Sequence, residues 1–398
     1  MLKSFRKTTF GKTTVAALGG ALCMVGATTA HALTAEDIEI HGFFTAGATI
    51  SDLDKTYLRT TDDDVSFDED STLGLQIIVP IDERITLQAQ LLANNSKNAD
   101  TDFEVEVDWA FVSYEINDEL MVRAGRIRYP LLMLGDYAEV GYAYPWIRPP
   151  QEVYGGIPIT SMDGADLQFN MPVGNFNLAL QPFVGQRDDD LYIQAINAEI
   201  ETEVSNIVGL KVSLANDYVT VHAGYTEMEV TMDQNTPLGF MTGLGGLTLM
   251  DDADASLYTL GANFERQNLV IMAEYLHADF KKEEGQDKIS NYDAWYTMVG
   301  YRFGKFMPHV TLAQLDADEP ARGPSSETLT VGLRYELSDS SALKIEWARV
   351  EPKENTAGPF GPNDSTSIFT PYGMFEAPLY DDINEEGNIF SIALEVIF

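Results

Sequence analysis

The chain has 398 residues, 45% hydrophobic and 11% aromatic, with 62 acidic against 25 basic side chains for a formal charge of −37. So large an acidic surplus argues against nucleic acid and anionic lipid surfaces as partners, while the apolar content is too rich for a disordered chain. One cysteine, Cys23, excludes a disulfide scaffold.

At the N-terminus, Lys3, Arg6, Lys7 and Lys12 precede an apolar run from Val15 to Val25, and Ala30-His31-Ala32 follows. A basic start, a short apolar stretch and a small-residue site read as a secretory signal peptide over residues 1–32, cleaved after Ala32. The run is shorter than the roughly 20 residues a spanning helix needs. Leu22 is too bulky to precede a lipoprotein cysteine. Cleavage removes Cys23, and thiol catalysis and Cys-based zinc sites go with it. Residues 33–398 are then one domain.

From there the chain alternates. Leu73, Leu75, Ile77 and Val79 put every second side chain on an apolar face, and Ile85, Leu87, Ala89 and Leu91 repeat the pattern. Phe103, Val105, Val107, Trp109 and Phe111 read as the next such face. Further sets run from Val204 to Leu214, Val219 to Tyr225, Tyr258 to Phe264 and Leu269 to Tyr275. The last are Trp295 to Phe303, Leu329 to Leu337, Leu343 to Trp347 and Phe390 to Phe398. Period two over so many segments predicts strands with one apolar and one mixed face.

Short polar turns fall near 80–83, 117–119, 172–175, 215–217, 265–268, 303–306 and 338–341. Longer loops fall near 51–71, 94–101, 129–161, 187–203, 232–254, 281–290, 317–326 and 353–387. The two kinds of connection alternate, and together they divide the chain into sixteen strands. That layout predicts an all-β fold, a transmembrane antiparallel up-and-down β-barrel, with both termini on the periplasmic side. Trp295 and Phe303 on one face lie roughly 20 Å apart in height at ordinary strand rise and tilt, the spacing of two aromatic girdles. The amphipathic strand closing at Phe398 reads as an assembly signal.

The opening strand Ile38-Glu39-Ile40-His41-Gly42-Phe43-Phe44, the step Ala124-Gly125-Arg126, the strand end Gly300-Tyr301-Arg302-Phe303-Gly304 and the terminal Phe398 occur in the order seen in Gram-negative general porins. The mature chain resembles that family over essentially its whole length. The resemblance implies a homotrimer of 16-stranded barrels in the outer membrane, a third loop folded inward as the constriction, and recognition of Phe398 by the barrel-assembly machinery. It implies water-filled pores for small hydrophilic solutes.

The third long loop is 129–161, whose core includes Tyr144, Pro145, Trp146 and Arg148. Prolines fix its backbone and aromatic rings give it area to pack on a wall. It lacks the acidic motif of the best-known enteric porins. A rigid external loop is the competing reading. Alternation points Glu104, Glu106, Asp108, Arg123, Glu274, Arg334, Lys344 and Glu346 into the lumen, and Gly125 is expected to permit a register change that brings Arg126 and Arg128 in as well. The resemblance suggests a transverse field, with Arg123, Arg126 and Arg334 opposite Asp136, Glu139 and Glu152. Mutually neutralising pairs that stiffen the wall are the alternative.

Acidic runs at 62–64, 68–70, 188–190, Asp251-Asp252-Asp254 and Asp381-Asp382 fall in outer loops. Oxygen-rich clusters suit Ca²⁺ or Mg²⁺ bridging to lipopolysaccharide, although none has the ligand spacing of a calcium loop; plain solvated, mutually repelling loops are the favoured reading. No cofactor is implied. The mature histidines come with no nucleophile motif, so catalysis is not expected. A channel with mild cation preference is the leading expectation, with a substrate-specific channel, a barrel enzyme and a structural barrel as rivals.

Overall fold

The computed structural model describes residues 37–398 apart from 59–60, 96–102, 156, 158, 194–197, 235–246, 282–290, 319–324, 354–358, 361–363, 371–372 and 380–384. The expected signal peptide and Asp381-Asp382 therefore lie outside the described residues.

Sixteen of the described strands close into one antiparallel barrel. The first half comprises β1 (Glu39–Ser51), β2 (Thr72–Pro80), β3 (Ile85–Asn94), β4 (Glu104–Asn117), β5 (Leu120–Arg128), β6 (Ser161–Val173), β7 (Phe176–Ile193) and β8 (Ala198–Ala215). The second comprises β9 (Val219–Gln234), β10 (Leu247–Arg266), β11 (Leu269–Lys281), β12 (Tyr292–Tyr301), β13 (Phe306–Ala317), β14 (Ser326–Ser338), β15 (Ser341–Pro352) and β18 (Gly387–Ile397). A separate hairpin, β16 (Asp364–Thr370) with β17 (Gly373–Leu379), lies within the last long connection. Pairing of β1 with β18 shuts the ring, from Phe43 opposite Ile397 to Ser51 opposite Ile389. Gly42 and Phe398 exchange backbone hydrogen bonds of 2.8 and 2.9 Å at its edge.

All seven expected short turns join consecutive strands. Their chemistry is local. The Asp82 carboxylate accepts the N–H groups of Arg84 and Ile85 at 2.7 and 2.8 Å, and the Asn117 and Asn216 side chains do the same two and three residues on. Gly174 and Gly304 take φ of +63° and +60°, where a side chain would be strained.

The outer face is apolar and open: Val105 is 71% exposed, and Phe44, Leu167, Val208, Leu260, Val299, Leu312 and Ile392 stand clear of the protein with it. So continuous an apolar surface is one that lipid covers. Near the short turns Tyr301 stacks on Phe303 and Phe306 on Tyr335, at 4.6 and 4.7 Å between centroids. Further along, Tyr225 meets Tyr258 at 4.8 Å.

Four expectations fail. The stretch 232–254 is not loop throughout, because β10 begins at Leu247 and pairs with β9 from Leu247 opposite Gln234 to Asp254 opposite Glu229. The stretch 187–203 is not a long loop, because β7 and β8 go on pairing from Arg187 opposite Val204 to Ile193 opposite Ala198. Beyond the apolar band, backbone pairing needs no alternation, so the acidic run disguised the strand. Trp109 and Phe111 do not continue the lipid face. The pairing of β3 with β4 is irregular where Asp108 bulges between Val107 and Trp109, and the extra residue turns both rings inward. Arg126 does not enter the lumen either. Gly125 has φ +135°, but its bare Cα admits the Ala110 carbonyl, which a Cβ would meet at 2.5 Å. The alternation runs through Gly125, so Arg126 faces outward and binds Asp163 at 2.8 Å, with both side chains a third to a half exposed, while at the strand end Arg128 is buried against Asp108.

Candidate functional site

On β9 to β13 many of the inward positions are apolar, among them Val230, Leu257, Met272, Leu276 and Met298. Such a wall needs a cover, and the segment after β5 supplies it. Leu131, Leu134, Trp146 and Val153 pack into one core with these residues. Trp146 is 1% exposed and stands edge-on to Tyr296, 5.4 Å between centroids.

Backbone and side-chain hydrogen bonds fasten the same segment around the lumen. The Leu131 carbonyl accepts from Thr259 on β10 at 3.1 Å and that of Leu132 from Lys211 on β8 at 2.7 Å. Met133 N–H donates to Glu274 on β11 at 2.7 Å, and Ile147 N–H to Glu346 on β15 at 3.0 Å. Arg334 on β14 donates to the carbonyls of Tyr142 and Tyr144 at 2.6 and 2.8 Å. Its guanidinium also lies over the Tyr142 ring and binds Glu336 at 2.7 Å. The Trp146 indole donates to Thr311 on β13 at 2.7 Å, and Arg148 to Ser391 on β18 at 2.8 Å. The loop is inside the barrel.

The charges sort into close pairs. Arg123 grips Asp166 with two donors, at 3.0 and 2.5 Å, and lies over the Phe111 ring. Arg128 binds Asp108 at 2.5 Å and stands 3.6 Å from Glu139. Arg148 pairs with Asp70 at 2.8 Å. Lys344, fully buried, pairs with Glu395 at 2.8 Å and holds the carbonyls of Gly141 and Trp146. A relay of amides completes the wall, Gln76 donating to Gln90 at 2.7 Å and Gln90 to Asp108 at 2.5 Å.

Of the residues singled out in the sequence, Asp108, Arg123, Glu274, Arg334 and Glu346 are inward and buried. Glu274, Arg334 and Glu346 lie under the loop. Glu104 is exposed and Glu106 half-buried on β4. Glu152 is buried against the Thr328 hydroxyl rather than opposite a cation. Burial lifts its carboxyl above the usual range, and the Thr328 hydroxyl and a backbone hydrogen bond pull it partway back. Burial also carries the Tyr144 phenol well above its ordinary value, and its hydroxyl donates to the Ala138 carbonyl at 2.7 Å.

Asp136 and Tyr137 are exposed and Glu139 and Val140 half-buried, so 136–140 forms the uncovered edge of the loop. A cavity of about 400 Å³ opens between Val140 and His41, Phe43 and Gln76. Ser340, Ile397 and Phe398 also line it, at the short-turn end of the barrel. Among the described residues no acidic or histidine group has the arrangement of a metal site. Sequence reasoning passed over Lys211, His222 and His309. The first was legible as an inward lysine between Leu210 and Val212; the histidines gain meaning only from their cross-strand neighbours.

A family model described as Gram-negative porin matches residues 15–355. No curated protein sequence matches the chain. Among solved structures it is similar to OmpT, an outer membrane protein of Vibrio cholerae, folded in vitro, at 13% identity and TM-score 0.56 over 91% of this chain and 97% of that one. The anion-selective porin of Comamonas acidovorans is similar at 15% identity and TM-score 0.54 (91% and 99% covered). So is OmpF of Salmonella typhi, solved in complex with daunomycin, at 14% and 0.54 (92% and 100% covered). At such identities the likeness is one of fold.

Proposed function

The chain belongs to the Gram-negative porin family, and on that premise we propose that it forms a water-filled channel through which small hydrophilic solutes and ions diffuse across the outer membrane. The observation that carries this reading is the inner loop. It is bonded to wall strands from β8 round to β18 yet leaves the edge 136–140 uncovered beside a cavity. In this reading Asp136, Tyr137, Glu139 and Val140 form one side of the narrowest passage. The wall with Gln76, Glu106, Asp108 and Arg123 forms the other. The charged pairs leave little uncompensated basic charge there, so the passage prefers cations mildly. Nothing in the arrangement calls for catalysis.

Export by a cleaved signal peptide over 1–32, recognition of the terminal Phe398 strand by the barrel-assembly machinery, and assembly as a homotrimer in lipid and lipopolysaccharide belong to the same proposal. Among the neighbours, a trimer form of Vibrio cholerae OmpT supports the last.

The test is removal of residues 136–140, which keeps the wall-bonded stretches on either side and gives up the Arg128–Glu139 and Tyr144–Ala138 contacts. Single-channel conductance in planar bilayers should rise. Unchanged conductance in a correctly folded barrel would mean the passage lies elsewhere. Block of the wild-type current by low concentrations of one solute would mark a substrate-specific channel instead.

A further inference from the structure

Two places on the inner wall repeat one arrangement. His222 on β9, Gly261 on β10 and Glu274 on β11 stand side by side across three neighbouring strands. His309 on β13, Gly332 on β14 and Glu346 on β15 do the same. In each, the central glycine offers no side chain and the imidazole lies across it. A Cβ on Gly261 would stand 2.2 Å from His222 Cε1, and one on Gly332 would stand 2.2 Å from His309 Nε2. The ring thereby reaches the carboxylate two strands away: Nε2 to Oε1 is 3.1 Å for His222 and Glu274, and 3.6 Å for His309 and Glu346.

That same oxygen takes the inner loop. Glu274 Oε1 accepts Met133 N–H at 2.7 Å and Glu346 Oε1 accepts Ile147 N–H at 3.0 Å. Both histidines and both glutamates are buried, and among the described residues neither imidazole has a hydrogen-bond partner, so each ring meets its carboxylate by proximity alone. A buried carboxylate on a flexible stem has several orientations to lose and needs polar neighbours to stay ionised. The imidazole, pinned on a glycine, supplies a fixed one. Met133 and Ile147 lie on either side of the uncovered edge 136–140, with the Lys344 and Arg334 contacts to Gly141, Tyr142 and Tyr144 between the edge and Ile147, so the two units share in fastening the stretch that borders the cavity.

We infer that His222 and His309 are positioning residues for the channel: each orients an anchor carboxylate to receive the inner-loop backbone, and the pair fixes the width of the passage. The inference rests on the reading that residues 136–140 border that passage. The two units differ in backing. Tyr154 and Tyr296 hold the other oxygen of Glu274 at 2.7 and 3.4 Å, whereas Glu346 is backed by the charges of Arg148 and Lys344.

Single-channel recording of the full-length barrel tests this in H222A, H309A, the double variant, and the counterparts H222Q and H309Q. Glutamine presents an N–H donor near the place of Nε2. The double alanine variant should widen the open-level noise and raise mean conductance by about twofold, as expected of a span partly released. Each single alanine variant should fall between wild type and the double variant, and the glutamine variants should return to wild type. In the barrel lacking 136–140 the alanine changes should add nothing. Wild-type conductance and noise in a folded double alanine variant, or failure of glutamine to restore them, would overturn the inference. If the alanine variants do not assemble, G261A and G332A displace each ring without removing it, and unchanged traces from them overturn it equally. Should removal of 136–140 leave conductance unchanged, the passage itself is misplaced. Should that removal raise conductance while the histidine variants do not, only the role of the histidines fails.

Discussion

Lys344 and Glu395 form an ion pair shut away from solvent, Nζ to Oε2 at 2.8 Å, directly beneath Gly141 of the inner loop. The glycine is what lets the loop descend this far, since a Cβ there would stand 2.4 Å from the Glu395 carboxylate. The ammonium also holds the Gly141 and Trp146 carbonyls. Pair and loop are thus one construction. Removing one member of a buried pair costs about 3–5 kcal/mol, because the other charge is left uncompensated, whereas replacing both with apolar groups is often neutral. Lys344→Met should therefore lower the thermal unfolding midpoint of the purified barrel, and combining it with Glu395→Leu should regain most of the loss. Equal midpoints for wild type and the single variant would mean that Glu395 finds another partner.

Much of the barrel was legible because its signals are local. Asp82, Asn117, Asn216, Gly174 and Gly304 mark turns by chemistry confined to two or three residues, and alternation fixes the lipid face wherever pairing is regular. It misled at Asp108, where one bulged residue reverses the sense of Trp109 and Phe111. At Gly125 a break was expected, but the glycine serves close backbone approach. The site was harder to read. A lone His222 or His309 carries no signal in the chain, because its partner glycine and glutamate lie on other strands, 39 to 52 and 23 to 37 residues away. Likewise, the apolar inner face of β9 to β13 could not be told from a lipid face by composition. Only the loop that covers it explains why a lumen wall carries methionine and leucine.

Glu152 gives the inner loop a dependence on pH whose sign follows from its environment. Burial raises the carboxyl in the folded barrel, with Thr328 and a backbone hydrogen bond opposing in part. A raised carboxyl favours the folded state in its protonated form. That contribution is whole below the ordinary glutamate value of about 4.3 and is lost as pH rises through the raised one. Glu152→Gln is neutral throughout and its oxygen can still accept from Thr328. Thermal midpoints of the variant should therefore exceed those of wild type near neutral pH and converge with them in acid. A variant less stable than wild type at neutral pH would show that the ionised carboxylate is the form the site requires.

Ion preference tests the electrostatics of the passage as a whole. The basic groups near it are committed: Arg123 to Asp166, Arg128 to Asp108 and Glu139, Arg148 to Asp70. Arg126, which the sequence placed in the lumen, faces outward against Asp163. On the acidic side, Asp136 is exposed at the loop edge with no ion pair among the described residues, and Glu139 is held by Arg128 only at 3.6 Å. The whole chain adds a formal charge of −37. The potential in the passage should be negative, gathering cations and repelling anions. Exposed charges fade over about 8 Å at physiological ionic strength, so the preference should be moderate and should weaken in concentrated salt. The reversal potential across a KCl gradient measures it directly. Wild type should show cation preference, and changing Asp136 to Asn with Glu139 to Gln should move the potential toward zero without closing the channel. An anion-preferring wild type would mean that the Arg123 guanidinium, despite its carboxylate partner, governs what passes.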